Sequence, residues 1–386
     1  MSRNWSHLYS AEKIIGAYEG TIPFSAWLKN YFKQNKKFGS SDRRNIQQLC
    51  FGYFRLGKSF ADLTIQEKII TGYFLTANDS SFIAEIKPGR EAYINRSLPE
   101  KLKLLHAEDE IINIFPLPKL LSPEMDSQAF SLSHIVQPLM FLRLRPGKSG
   151  IVKHQLTDHG IEFDETRNDC LAMEGGIRVE RILQLNRDAV IQDLNSQNTI
   201  ALLKGRMPAD QKFSVWDCCA ASGGKSILSK DLFPNIELTV SDIRDTIIAN
   251  LKKRFAEAGI THYKSFVADV ASDAFHHNKK YDLVICDAPC SGSGTWGRTP
   301  EQLSFFREEQ ILYYTSLQKK IALNVARQVN NGGFLLYITC SVFQAENEDV
   351  VGYLLKNSDL TLVESNYLIG YNKRADSLFG ALFRRN

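Results

Sequence analysis

The spacing of apolar residues changes twice along the chain. Near the N-terminus Phe24, Trp27, Leu28, Tyr31 and Phe32 recur at helical spacing behind Pro23, which suits a first helical turn. A second helix is predicted behind Ser41 as N-cap, with Ile46, Leu49, Cys50, Tyr53 and Phe54 on one face and Gly57 as its stop. This assignment leaves Arg43, Arg44 and Arg55 for the surface and the aromatic stripes for the core. Residues 59–130 continue in helical stretches, interrupted at Pro88-Gly89 and at Phe115-Pro116-Leu117-Pro118.

Residues 138–145 and 169–174 read as strands around a short helix at 149–159, a small α+β module. From about residue 212 strands and helices alternate. Strands are predicted at Phe213–Cys218, Ile236–Ser241, Lys264–Ala268, Tyr281–Cys286, Phe334–Thr339 and Leu360–Glu364, and helices at 225–232, 244–258, 308–329 and 344–356. Such alternation predicts an open, mostly parallel α/β sheet with helices on both faces. Three domains follow: a helical one over 1–130, the α+β module over 131–200 and the α/β domain over 201–386. Ligands of such sheets bind beyond the carboxyl ends of the strands, so the informative residues belong in the loops that follow them.

Composition narrows the class. With 386 residues, 44% hydrophobic and 23% charged, the chain is long enough for more than one core and has the balance of a globular protein. No apolar run is long enough to span a bilayer, and no secretory signal opens the chain. The seven cysteines contain no Cys-x-x-Cys pair and no zinc spacing, which predicts free thiols, no metal and a cytoplasmic setting. The net charge of +4 is unevenly spread: residues 1–58 hold ten Lys/Arg against three Asp/Glu. A basic segment of that kind fits a polyanion, or simply a solvated helix face.

The loop after the first predicted α/β strand reads Asp217-Cys-Cys-Ala-Ala-Ser-Gly-Gly-Lys-Ser226. Paired glycines let backbone approach a ligand, and a helix start offers free N–H groups. Asp242 and Asp269 close the second and third strands and Asp287 the fourth. A single such carboxylate is often a cap, but four at successive strand ends, with Asp217, point to a nucleoside-type ligand, Asp242 accepting from its ribose. A phosphate-binding loop of NTPase type shares the ending Gly224-Lys225-Ser226 but requires glycine where Cys219 stands. Two further cysteines lie at strand tips: Cys290 in Asp287-Ala-Pro-Cys-Ser-Gly-Ser-Gly294, and Cys340 in Thr339-Cys-Ser341. A buried thiol is usually a small hydrophobe, yet strand tips beside Gly/Ser loops are where substrates reach. A helix start directly after Ser341 would further favour the thiolate.

At these residues the chain resembles the Sun (Fmu, or RsmB/NOP/Sun) family of RNA cytosine-C5 methyltransferases. The resemblance rests on Cys219-Ala-Ala-Ser-Gly-Gly-Lys225, Asp242, Asp269, Asp287-Ala-Pro-Cys-Ser-Gly292, Thr339-Cys-Ser341, Gln192-Asp193, Ser196-Gln197, Glu346-Asn-Glu348 and Leu378-Phe-Gly-Ala-Leu-Phe-Arg-Arg385. It covers about 140–386. More weakly, Phe38-Gly-Ser-Ser-Asp-Arg-Arg44 and Phe51-Gly-Tyr-Phe-Arg55 look like a NusB-like RNA-binding domain. The chain departs from the family at Ser222, usually proline, and at Gly297-Arg-Thr-Pro300, where two arginines usually precede the proline.

The resemblance implies a Rossmann-like class I methyltransferase domain behind a helical domain and an RRM-like module. It implies S-adenosyl-L-methionine held by Cys219, Ala220, Ala221, Ser222, Gly223, Gly224, Lys225, Asp242, Asp269 and Asp287. Cys340 would be the covalent nucleophile on carbon 6 of cytosine, Asp287 would stabilise the base, and Cys290 would be needed for release. The expected substrate is an unstacked cytosine in RNA, ribosomal RNA before transfer RNA, acted on by a monomer. A DNA cytosine-C5 methyltransferase would instead use the Pro-Cys cysteine as nucleophile, and a non-catalytic RNA-binding assembly factor could share the fold.

Overall fold

The structure, a computed structural model, describes residues 2–207 and 211–386. Its chain divides into two compact units, a helical one (Met1–Leu121, Met125–Gln137 and Thr295–Arg307) and a larger α/β one (Ser122–Glu124, Pro138–Gly294 and Glu308–Asn386).

The helical unit contains α1 (Arg3–Ala17), α2 (Phe24–Gln34), α3 (Ser40–Arg55), α4 (Ile65–Thr76) and three shorter helices, α5 (Ser81–Ile86), α6 (Leu98–Leu104) and α7 (Ser127–Ser133). Helix α2 follows Pro23 and buries Phe24, Leu28 and Phe32, one residue per turn. In α3 the predicted cap is displaced. Gly39, not Ser41, is the N-cap, because Asp42 at the third helical position accepts the Gly39 N–H at 3.0 Å. Helix α4 carries a reciprocal box, Thr64 N–H to Glu67 at 2.9 Å and Glu67 N–H to Thr64 Oγ1 at 3.3 Å. Where α3 crosses α4, Gly52 faces Gly72. A Cβ at Gly72 would lie 2.3 Å from the Gly52 carbonyl oxygen, so the crossing depends on both lacking side chains.

Arg55 does not reach the surface. It is 3% exposed and donates to the His134 carbonyl at 2.7 Å and to Gln137 Oε1 at 2.8 Å, so it holds the unit together and is not available to a phosphate. Residues 295–307, which interrupt the α/β domain in sequence, pack with this unit. Glu301 in that segment is 1% exposed and accepts the Phe24 N–H at the start of α2 at 2.9 Å.

The α/β unit opens with a four-stranded antiparallel sheet, order β2-β3-β1-β4, made of β1 (Met140–Leu144), β2 (Asp164–Arg167), β3 (Cys170–Met173) and β4 (Ala189–Ile191). Helix α8 (Ser149–Asp158) packs Val152 and Leu156 against Leu142, Leu144 and Leu171 of this sheet. After α9 (Leu194–Asn198) comes a seven-stranded sheet of order β10-β11-β9-β8-β5-β6-β7. Its strands are β5 (Ser214–Asp217), β6 (Glu237–Asp242), β7 (Tyr263–Val267), β8 (Tyr281–Asp287), β9 (Val329–Thr339), β10 (Leu360–Leu368) and β11 (Leu378–Arg385). Strands β7 through β9 run parallel, while β11 and β10 join antiparallel beyond β9. The helices are α10 (Gly224–Leu232), α11 (Asp245–Glu257), α12 (Glu309–Ala326) and α13 (Glu348–Asn357).

This is a Rossmann-like α/β fold. From β5 the chain proceeds outward to β6 and β7, then returns to β8 on the other side of β5 and continues to β9. The direction of winding therefore reverses between β5 and β8, and the loops leaving their carboxyl ends diverge around a crevice. The core beneath it is built from Val215, Val240, Leu283, Ile285, Leu336 and Ile338, all fully buried.

Candidate functional site

The loop after β5 turns back through two residues of positive φ, Ala221 (+44°) and Gly223 (+84°), before α10 begins at Gly224. A Cβ on Gly223 would meet the Phe255 ring at 2.7 Å, so both conformation and space require glycine there. The loop is pinned by Ala220 N–H to the Ser241 carbonyl at 2.9 Å and by Arg254, whose Nη1 donates to Ser222 O at 2.8 Å and Ser222 Oγ at 2.7 Å. The hydroxyl that stands in place of the family's proline thus receives a hydrogen bond of its own.

Asp242, at the end of β6, is 5% exposed. It accepts from the Ala221 amide at 3.1 Å and from Arg244 N and Nε, each at 3.0 Å. Burial works to raise its pKa, but the hydrogen bonds from Arg244 and Ala221 outweigh it and hold the carboxyl below its ordinary value. The Arg244 side chain is 58% exposed and can yield its place to ligand hydroxyls. The donor set therefore fits the sugar of a nucleoside cofactor, with glycine backbone and the α10 amides beside it. Asp269 is exposed and accepts the Ala271 N–H at 3.0 Å as a turn former. Its end of β7 is brought to β6 through Ala268 N–H to the Asp242 carbonyl at 3.2 Å. Among the described residues, no hydrogen bond joins its side chain to the other site residues.

Across the crevice Lys225 and Asp287 form an ion pair of 2.6 Å. Lys225 is 8% exposed. Burial alone would lower its pKa, but the charge and hydrogen bond of Asp287, followed by the charge of Asp217, prevail and raise it, so the ammonium stays charged. Asp217 is 1% exposed and accepts from Ser226 Oγ at 2.6 Å, while its Oδ1 has no partner among the described residues. Burial, reinforced by the negative charge of Asp287, pushes its pKa up to about 7.

The two strand-tip thiols meet. Cys290 Sγ lies 3.3 Å from Cys340 Sγ, in loops that leave the same edge of the sheet because β8 and β9 pair in parallel, Asp287 opposite Ile338. The adjacent Cys340 sulfur and burial push the Cys290 thiol well above its ordinary value, which keeps Cys290 protonated at neutral pH.

What holds the two loops together is Glu346. Fully buried, it accepts from the Ser291 amide at 2.9 Å, Ser341 Oγ at 2.8 Å and Gln318 Nε2 at 2.8 Å, so one carboxylate ties the residue after each cysteine to α12. Asn347 adds a bond from Nδ2 to the Ser341 carbonyl at 2.9 Å. Sequence reasoning placed Glu346 and Asn347 in a motif but gave neither a role, and it missed Gln318 altogether. Serine, glutamate and asparagine within seven residues of a strand tip are the local signal of such a brace. The helix after Ser341 also starts later than expected. A 3-10 turn spans Gln344–Glu346, and α13 begins only at Glu348.

The site thus brings together Cys219–Lys225, Asp242, Asp287, Cys290 and Cys340 along one edge of the sheet, with Asp269 at its outer side. Among the described residues, no group of three or more His, Cys, Asp or Glu side chains is placed to hold a metal ion, and no helix is long and apolar enough to cross a membrane.

The family described as "16S rRNA methyltransferase RsmB/F" matches residues 205–375. The ribosomal RNA small subunit methyltransferase B of Xylella fastidiosa strain 9a5c is 35% identical over 162 residues, 41% of this chain and 37% of that protein. The probable ribosomal RNA small subunit methyltransferase B of Bacillus subtilis strain 168 is 27% identical over 226 residues, 56% of this chain and 49% of that one. The chain thus spans less than half the length of these curated relatives. Among solved structures, that of PH0851 superposes with a TM-score of 0.74 at 20% identity, over 100% of this chain and 99% of that one.

Proposed function

We propose that this chain is an RNA methyltransferase of the Sun (Fmu) family, a reading supported by the family match over residues 205–375, and that it methylates carbon 5 of a cytosine in small-subunit ribosomal RNA. The observation that carries the reading is the contact of two thiols from adjacent strand tips, 3.3 Å apart, on the same sheet edge as the Lys225–Asp287 pair. The relatives' names supply the ribosomal part of the proposal.

S-adenosylmethionine, when bound, supplies an electrophilic methyl group on its sulfonium. Asp242 and the amides of the Ala221–Gly224 turn would hold it, and the buried carboxylate with its displaceable Arg244 partner fits a ribose.

Carbon 5 of cytosine is a poor nucleophile. Attack of the Cys340 thiolate forms an Sγ–C6 bond and pushes the C5–C6 π pair toward carbon 5, which then takes the methyl group. Asp287 accepts from the base, and Lys225 beside it offsets charge that develops on the ring. A solvent water then takes the carbon-5 proton, and the C–H electron pair re-forms the C5–C6 double bond as the Sγ–C6 bond breaks and Cys340 leaves as thiolate. The departing Cys340 thiolate accepts the S–H hydrogen bond of Cys290, which the Cys340 sulfur itself and burial keep protonated. A base inside a helix stack cannot reach these groups, so the substrate is an unstacked cytosine.

A methyl-transfer assay with tritiated cofactor on RNA and on DNA tests the reading. Label on cytosine C5 of RNA alone supports it, label on DNA favours the DNA-type enzyme, and label on neither leaves a non-catalytic binding protein. Bisulfite sequencing of total RNA with and without the gene separates ribosomal from transfer RNA.

A further inference from the structure

Helix α12 leads from β8 to β9, which lie side by side and parallel, so its first turns stand at the same sheet edge as Asp287 and Thr339. On those turns Leu312 is 70% and Tyr313 64% exposed, the two most exposed large apolar side chains among the described residues. Tyr313 packs edge to face on Tyr314, with ring centroids 5.3 Å apart at 70°. Gln318, one turn beyond Tyr314 and round the helix from Leu312 and Tyr313, donates to the Pro289 carbonyl at 2.9 Å and to Glu346 at 2.8 Å, which seats the side that Tyr314 and Gln318 share on the Cys290 loop. Tyr314 is half-buried there. Its phenol is raised above its ordinary value by burial and then by Cys290 and Glu346.

We infer that Leu312 and Tyr313, backed by Tyr314, form a stacking platform for an unpaired base next to the target cytosine in the same RNA strand. The inference rests on the reading of the site as one for single-stranded RNA. An extruded cytosine leaves its neighbours unstacked, and an exposed aromatic ring packed on Tyr314, which itself lies on the side of the helix facing the Cys290 loop, offers one of them a new face. Charge argues for a base rather than a phosphate as occupant, because the exposed Glu308 and Glu309 sit at the head of this helix.

The test uses the full chain with S-adenosylhomocysteine and a short single-stranded RNA carrying one cytosine, compared with the same RNA abasic at a flanking position. Tyr313→Ala should weaken RNA binding between about 5-fold and about 100-fold. The slope of affinity against salt should stay unchanged, and Tyr313→Phe should retain most of the affinity. On the abasic RNA wild type and Tyr313→Ala should bind alike. In methyl transfer the loss should fall on KM with kcat kept. Equal affinity of Tyr313→Ala and wild type on the intact RNA, or an equal loss on intact and abasic RNA, overturns the platform. So does a dimer in sedimentation that Tyr313→Ala dissociates, since the face would then be covered by a second copy. Wild-type label on cytosine C5 without that coupling would sink the platform alone, whereas coupling without label would sink the catalytic reading alone.

Discussion

Replacing each strand-tip thiol in turn separates the two roles proposed for this pair, whose sulfurs lie 3.3 Å apart. If Cys340 forms the bond to carbon 6, Cys340→Ala abolishes methyl transfer and leaves no adduct. If Cys290 supplies the hydrogen bond that eases release, Cys290→Ala still allows attack and methylation but stalls on the covalent complex. The structural cost of either change is small. Each thiol is half-buried, and deleting one removes a small side chain and one weak donor or acceptor, about 1 kcal/mol. In a chain of this size that moves Tm by a few degrees at most. Loss of a positioned acid typically slows a step by about 10²- to 10⁴-fold, the equivalent of about 3–5 kcal/mol in the barrier. Chemistry therefore outweighs stability severalfold. The assay is a denaturing gel with labelled RNA, in which Cys290→Ala gives a shifted band that RNase removes and the double variant gives none. An adduct formed by Cys340→Ala that requires Cys290 would refute this assignment by reversing the roles, and full activity in both variants would make the thiols structural.

Asp242→Ala should weaken binding of S-adenosylmethionine by roughly 1.5–3 kcal/mol, the loss of charge-assisted bonds to a sugar; unchanged affinity in calorimetry would remove Asp242 from the cofactor site. Exchanging Lys33, Lys36, Lys37 and Arg44 for glutamine should flatten the salt dependence of RNA affinity by about 0.7 log units per lost phosphate contact on single-stranded RNA, and an unaltered slope would mark these as a solvated surface. Asp217 is raised to about 7 in the fold from 3.8, so its share of stability is full below about pH 4 and falls away as pH rises through 7. Asp217→Asn, which keeps an acceptor for Ser226, should remove this decline, worth on the order of 4 kcal/mol between pH 4 and pH 8. Denaturant unfolding of both proteins across that range checks it, and identical pH dependence would contradict the burial argument.

The sheet was legible because its strands are buried on both faces and read as short apolar runs: Leu283, Val284, Ile285 and Cys286 are all fully buried. β2 and β4 were not legible. Asp164-Glu-Thr-Arg167 is a largely exposed edge strand without an apolar face, and Ala189–Ile191 is three residues long. Helix α1 carried a readable signal, Leu8, Ala11, Ile14 and Ile15 behind Ser2, that only a closer count of period would have caught. Arg55 and Glu301 mark the limit of local reading. Whether a charged residue on a helix face meets water or a neighbour depends on segments distant in sequence, here 134–137 for Arg55 and the start of α2 for Glu301.

In the site the same division holds with a different outcome. That Cys290 and Cys340 lie at the same edge of the sheet follows from two expectations of the sequence: each stands just beyond the end of a strand, and the strands are neighbours in a doubly wound sheet. Their separation does not follow from that. Strand tips in adjacent parallel strands leave loops free to diverge, and two thiols come into contact only if something draws the loops together. Glu346 does so, since one buried carboxylate satisfied by Ser291, Ser341 and Gln318 can exist only with both loops closed. An unpaired buried carboxylate would cost several kcal/mol, so the closed arrangement is the stable one before substrate arrives. The chemistry proposed for this pair would thus need no loop movement to bring Cys290 to Cys340, because Glu346, Ser341 and Gln318, with the Ser291 amide, hold the two loops in that arrangement beforehand.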